Sequence, residues 1–384
     1  MQTILYDRLP GTDKLADLTP LLHNDRFSTA VPGLYRQWSA EIGEDIVEMF
    51  HWFEERLGCR LIVWANEEGE ECVWDGLLWN VRLSFGGTGL TRSLGDVHNR
   101  VAVEYSDLLN NNRYSLTAWA NDADSQDTYG IKEHVLSPGG LTAAMAVNVR
   151  DTFAGVHATP VVGATIGIPV NQAGMRLSVS ALGYWATLRY RLYQRLVTTT
   201  ATVQAILEDI VDTTIAPAYG TSYVEFLDPA DLSLIGGTNL NITQYEDNAN
   251  PIQDYIQHVV SLGDNSQNIW YVGVETGRRQ GPVWTLPRLR VWQRPETPDF
   301  IVSLADTLCQ DAGGAARSIL AIQAGMMVLI RDLVPDAASL STPLDQLRGF
   351  VLTETEYNAQ TGELRGTPEG SDAPLSLLLA RMEG

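Results

Sequence analysis

The residues of this 384-residue chain that could do chemistry are few and scattered. The six histidines, His23, His51, His98, His134, His157 and His258, include no pair at metal-ligand spacing. His98 stands near Asp96, but no neighbouring nucleophile completes a catalytic set, so a structural role is expected for it. Asp122, Asp124, Gln126 and Glu133 echo the first, third, fifth and twelfth positions of a calcium loop, whose oxygens would order a polar segment. The sixth position, where glycine makes the tight turn, holds Asp127, and a solvated acidic loop is the favoured reading. Gly86-Gly87-Thr88-Gly89 has the glycines of a phosphate cradle without its lysine or following helix, which favours a hairpin turn. The acidic neighbours Glu54-Glu55, Glu67-Glu68 and Glu70-Glu71 read as solvated charge, since on a strand adjacent side chains point to opposite faces. Tyr184, Trp185, Tyr190 and Tyr193 could stack sugar rings, although core or subunit packing suits a strand-rich chain better. No catalytic, cofactor-binding or metal-binding residue is assigned, no cofactor is expected, and the expectation is a non-enzyme.

Composition narrows the partners. There are 47 acidic and 26 basic residues, a net charge of −21, against only 19% charged residues in all. A phosphate grip needs a positive face, so specific nucleic-acid binding is not expected. With 45% hydrophobic residues and 10 Trp, disorder is not expected either. The most apolar stretch, 319–330, contains Gln323 and falls short of the roughly 20 residues a membrane helix needs. Lys14 and Lys132 are the two lysines; every other basic residue is arginine, whose planar fork suits interfaces. Cys59, Cys72 and Cys309 form no CxxC pair or disulfide framework, and the start MQTILYDRLPGTDK lacks a basic-then-apolar signal, so a reducing compartment is expected during synthesis.

The elements that would position these residues are mainly strands. Residues 1–35 read as a turn-rich arm with one strand at 3–6. A helix is expected from a Ser39 cap to Gly58, with Ile42, Ile46, Met49, Phe50, Phe53 and Leu57 on one face. Strands at 60–65 and 72–85 flank a charged tip at 66–71; Trp79, Val81, Leu83 and Phe85 alternate with polar residues. Strands follow at 101–105 and 114–120, then a polar stretch at 121–130 and a small-residue helix near 141–153. Met175, Leu177, Val179 and Ala181 alternate, and the strand pattern continues over 184–193 after Gly183. Helices are expected around Val203, Ile206, Leu207, Ile210 and Val211, and from Asn250-Pro251 to Gly263. Strands at 269–274, 289–292, 326–330, 351–357 and 363–365 complete the pattern. The class is mainly β with helices (α+β). Four segments are expected: an arm and first β-barrel with one helix at 1–120, a connecting helix and the first strands of a second barrel at 121–198, an inserted α/β accessory domain at 199–298, and a C-terminal β region at 299–384 completing the second barrel.

Several motifs, in order along the chain, resemble a known family. Val73-Trp74-Asp75-Gly76-Leu77-Leu78-Trp79-Asn80-Val81 is similar to the W-x-G-x-I-x-x-V strand of bacteriophage tail hub proteins, also called baseplate hubs. Asn99-Arg100-Val101-Ala102-Val103 resembles their N-x-V-x-V strand. It is followed, as in that family, by Asp124-Ser125, Thr128-Tyr129-Gly130 and a small-residue helix carrying Ala143, Ala144 and Ala146. Ala324-Gly325-Met326-Met327-Val328-Leu329-Ile330-Arg331-Asp332 is similar to a P-G-x-x-V-x-I-x-D strand, with Ala324 where proline is usual. The resemblance covers 35–195 best. It implies two tail-tube-like β-barrels plus accessory α/β domains, as in the central hub of the T-even tail tip. It further implies a homotrimer in the virion tail tip, made in the host cytoplasm. Implied neighbours are the tail tube or distal tail protein, a tip spike or fibre, and the tape measure protein. On that reading the chain is a structural hub protein whose ring joins the tube to the spike and lines the DNA exit channel. Acidic channel walls would let phosphates slide past. The Arg-rich strands 176–195, with Arg189 and Arg191, and 278–294 are candidates for subunit contacts. The alternatives are a hexameric distal tail or other adaptor ring protein, and a carbohydrate-active tail-tip enzyme.

Overall fold

The computed structural model describes residues 1–8, 13–65, 71–167, 174–193, 201–210, 241–242, 250–263, 268–275, 279–280, 283–284, 287–303, 308–331 and 349–370. The expected charged tip at 66–71 lies outside the described residues except Glu71, as do Val211 and Asp332.

The chain opens with strands β1 (Gln2–Arg8), β2 (Lys14–Asp17), β3 (Leu22–Ala30) and β4 (Gly33–Ile42), then helix α1 (Ile46–Glu55). β5 (Cys59–Trp64), β6 (Cys72–Phe85) and β7 (Thr88–Ser93) follow. A smaller unit comprises β8 (Arg100–Asp107), β9 (Arg113–Leu116), β10 (Ala120–Asn121), α2 (Ala123–Tyr129), β11 (Glu133–Leu141) and α3 (Ala143–His157). β12 (Gly163–Thr165) pairs with β7, and β13 (Arg176–Leu182) inserts between β6 and β4. The central order is therefore β2-β1-β5-β6-β13-β4-β3.

Beyond β13 come α4 (Val203–Ile210), α5 (Ile252–Ser261), β14 (Trp270–Glu275) and β15 (Arg288–Gln293). The last strands are β16 (Phe300–Ser303), β17 (Leu308–Asp311), β18 (Met327–Arg331), β19 (Gly349–Asn358) and β20 (Glu363–Pro368). β19 joins them to the central sheet through β3. The chain is mainly β with helices, and no closed barrel is present among the described residues.

Alternation did its work in β6 and β13. Val81, Leu83, Leu177, Val179 and Ala181 are buried while Asn80, Arg82 and Arg176 are exposed. The inward set meets Met49, Trp52 and Phe53 of α1 and Trp38 of β4 in the largest core cluster. Each such side chain contributes about 1.5–3 kcal/mol on burial. Gly86 and Gly87, at φ +52° and +91°, make the β6–β7 hairpin, so the glycine run is a turn.

Five expectations require correction. Residues 1–35 form β1, β2, β3 and the start of β4 rather than an arm, because their partners, β5 on β1 and β19 on β3, lie further along the chain. The first helix starts at Asp45, whose carboxylate accepts the Val47 and Glu48 amides at 2.8 and 3.1 Å. Ser39, Glu41 and Ile42 belong to β4, with Ile42 paired to Leu22 and Leu177; the helix face turns accordingly and leaves Ile46 and Phe50 exposed. The stretch at 114–120 is two short strands, and 121–130 contains α2. Residues Tyr184–Tyr190 are a 3-10 helix rather than a strand, with Tyr184 to Leu188 all buried, a run that two-sided alternation cannot produce. Gly183 permits this turn, since a Cβ there would sit 1.9 Å from the Tyr35 carbonyl oxygen. Finally, β13 does not join the C-terminal strands in a second barrel: both its neighbours are N-terminal strands.

The described residues of 199–298 share a core with the first half of the chain. Val203, Ile206, Ile256, Val259, Val272 and Val291 pack with Leu77, Tyr184, Trp185 and Leu188. β14 also runs parallel to the start of β4.

Candidate functional site

Two arrangements stand out. The first is the outer face of the central sheet. Cross-strand partners lie on the same face of a sheet, so the register lists its occupants directly. One row reads Ser93, Asn80, Ser180, Ser39 and Arg26; another reads Thr91, Arg82, Ser178 and Glu41. Gln37, Ser28 and Glu356 make a third. The Asn80 amide donates to Ser180 Oγ at 3.1 Å. Because the middle residues are small, the face is a shallow groove of about 810 Å³. It is not acidic: Arg26 and Arg82 stand against Glu41 and Glu356. The acidic wall expected of a DNA channel is therefore not found on this face.

The second is a buried knot between the small unit and the central sheet. Asn99 donates its amide to Ser125 Oγ (3.1 Å) and the Gly130 carbonyl (2.7 Å) and accepts the Lys132 amide (2.7 Å). Ser125 in turn donates its hydroxyl to the Ala158 carbonyl at the end of α3. These contacts tie β8, α2, β11 and α3 together, and they use residues of the motifs that carry the family resemblance. Beside them Lys132 is buried, its Nζ 4.2 Å from the Trp79 ring centre and 3.8 Å from that of Tyr190. Burial, with Arg189 nearby, pulls the Lys132 ammonium down to about 7. Three histidines gather next to it: the rings of His98 and His134 are 4.5 Å apart, and His157 stacks on Phe153 at 4.2 Å. Burial and then its neighbours His134, His157 and Lys132 depress His98 to about 4, and burial also lowers His134.

Such a lysine could serve as a base or nucleophile, but the cavity at Lys132 holds about 10 Å³, room for a single water. The cluster is a packing device with a pH dependence. His98 binds its proton near pH 6.5 when unfolded and only near pH 4 when folded, so its contribution to stability is present above pH 6.5 and lost as pH falls towards 4. The melting temperature of the wild type is expected to fall more steeply across that window than that of His98→Gln. Parallel curves would sink this account.

The other sequence candidates are dispersed. Asp122 accepts the Ser125 amide at 2.9 Å as the cap of α2. Glu133 is buried between Arg100 (3.3 Å) and Arg191 (3.4 Å) and accepts the Leu192 amide. The four calcium-loop residues are thus not gathered, and no group of three metal-ligating side chains occurs among the described residues. Arg191 is spent on Glu133 inside the chain and is not available as a subunit contact; Arg189 is exposed. The asparagine knot and the Lys132 cage were not foreseen as sites. The signals were that Asn99 opens the N-x-V-x-V stretch and that Lys132 borders an apolar strand.

Comparison with protein-family models, curated proteins and solved structures finds no match. No helix among the described residues is long and apolar enough to cross a membrane.

Proposed function

We propose that this chain is a structural ring subunit of the bacteriophage tail-hub kind, a homotrimer joining tail tube to spike or fibre around a channel. Its neighbours would be the tube or distal tail protein, the spike and the tape measure protein. The observation that carries the reading is the role of the motif residues. Asn99, Ser125 and Gly130 help tie β8, α2, β11 and α3 into one framework, and Gly76 lets β6 approach β13 so closely that a Cβ would lie 2.3 Å from the Leu182 carbonyl oxygen. Motifs with such duties belong to a scaffold. The charge of −21 fits a wall that nucleic acid passes without adhering, although the groove face does not supply that wall. Native mass spectrometry tests the reading: a species of three times 42.2 kDa with an open axial channel in electron micrographs is expected. Six copies would favour the adaptor-ring alternative, and a monomer at micromolar concentration would overturn both.

A further inference from the structure

The groove and helix α1 lie on opposite faces of the same sheet. Val81, Leu83, Leu177 and Val179 point inward to Met49, Trp52 and Phe53 of α1, while Asn80, Arg82 and Ser178 point away into the groove. The outer surface of α1 is unusual for a surface helix. Ile46 is 58% exposed, Val47 71% and Phe50 38%, and they sit among Glu44, Asp45 and Glu48. Apolar side chains at one end of a helix, rimmed by charge, make the kind of surface that a partner covers.

Charge selects the partner. On a chain of net −21, a carboxylate-rimmed helix is repelled by most of another copy's surface. The groove face is an exception: Arg26 and Arg82 balance Glu41 and Glu356 in its lining, so it carries none of the chain's acidic excess. Its volume of about 810 Å³ is ample for three apolar side chains.

We propose that α1 of one copy docks into the groove of the next, with Ile46, Val47 and Phe50 entering it and Glu44, Asp45 and Glu48 meeting Arg26 and Arg82. Because the two surfaces lie on opposite faces of one sheet, the contact is front to back. A heterologous contact of this kind closes into a ring when its rotation permits. The inference rests on the ring-subunit reading and names the interface that reading needs.

Charge reversal tests it in the full chain. Arg26→Glu with Arg82→Glu is expected to convert the assembled species to monomer in native mass spectra, and so is Glu44→Arg with Glu48→Arg. Combining all four substitutions, which restores opposite signs across the contact, is expected to bring the assembly back. Circular dichroism melts establish that each variant is folded; should the groove pair fail to fold, the Glu44 and Glu48 pair, together with Val47→Asp at an exposed position, decides the matter. If the wild type is a ring and the folded variants remain rings, this interface is wrong while the ring reading stands. If the fourfold variant stays monomeric, the charge pairing is wrong. A monomeric wild type overturns both.

Discussion

Replacing Asp75 by alanine is expected to cost about 3–5 kcal/mol of folding stability, read as a lower urea midpoint at unchanged slope. Arg60 and Asp75 are both fully buried, on adjacent strands β5 and β6. Arg60 Nε donates to Asp75 Oδ1 at 3.1 Å and a terminal guanidinium nitrogen donates to Oδ2 at 2.7 Å, a forked pair. Burial alone would pull Arg60 down; the Asp75 carboxylate outweighs it and holds the guanidinium charged. Removing the carboxylate leaves that charge in the core. The double replacement Arg60→Met with Asp75→Leu is expected to recover most of the loss, because apolar residues of similar volume remove both desolvation penalties. A single-variant loss below about 1 kcal/mol would show that the pair is hydrated in solution.

Gly183→Ala is the second large effect, expected to cost about 3 kcal/mol, the upper end of overpacking. The added methyl would lie 1.9 Å from the Tyr35 carbonyl oxygen and 2.7 Å from its carbon, both backbone atoms of a central strand that cannot step aside. Gly183 has φ −62°, so the penalty is steric and not conformational. Gly155→Ala makes the contrast. It lies inside α3 with nothing within 4 Å of the new methyl, and there the same change is expected to add about 0.5–1 kcal/mol. Equal melting temperatures for the two variants would contradict the close approach at Gly183.

Much of the strand pattern was legible because two-residue periodicity needs no partner to be seen. β6 spans the expected 72–85, and the alternation of Val81 and Leu83 with Asn80 and Arg82 is kept in its second half. The hairpin glycines and the end of α5 at Gly263, φ +69°, were legible for the same local reason. The start of α1 was not. Glu41 and Ile42 fit a helix by spacing, and only pairing with Leu22 and Leu177 makes Ile42 a strand residue. The histidines illustrate the same limit. His98, His134 and His157 come from a loop, a strand and a helix, and no spacing rule unites them.

The sequence by itself determined the mainly β class, the turns, the acidic balance and the polar-apolar alternation that gives each strand two unlike faces. Each of these depends on a residue and its near neighbours. The tertiary structure decided which strands meet and which charges are buried. β13 lies beside β4, Val179 against Ala40, and Lys132 rests between Trp79 and Tyr190. Pairing across more than a hundred residues is set by which faces can be covered at once, and the cost of a buried charge is set by the groups brought around it. Both are properties of the packed whole, so no local stretch of sequence carries them.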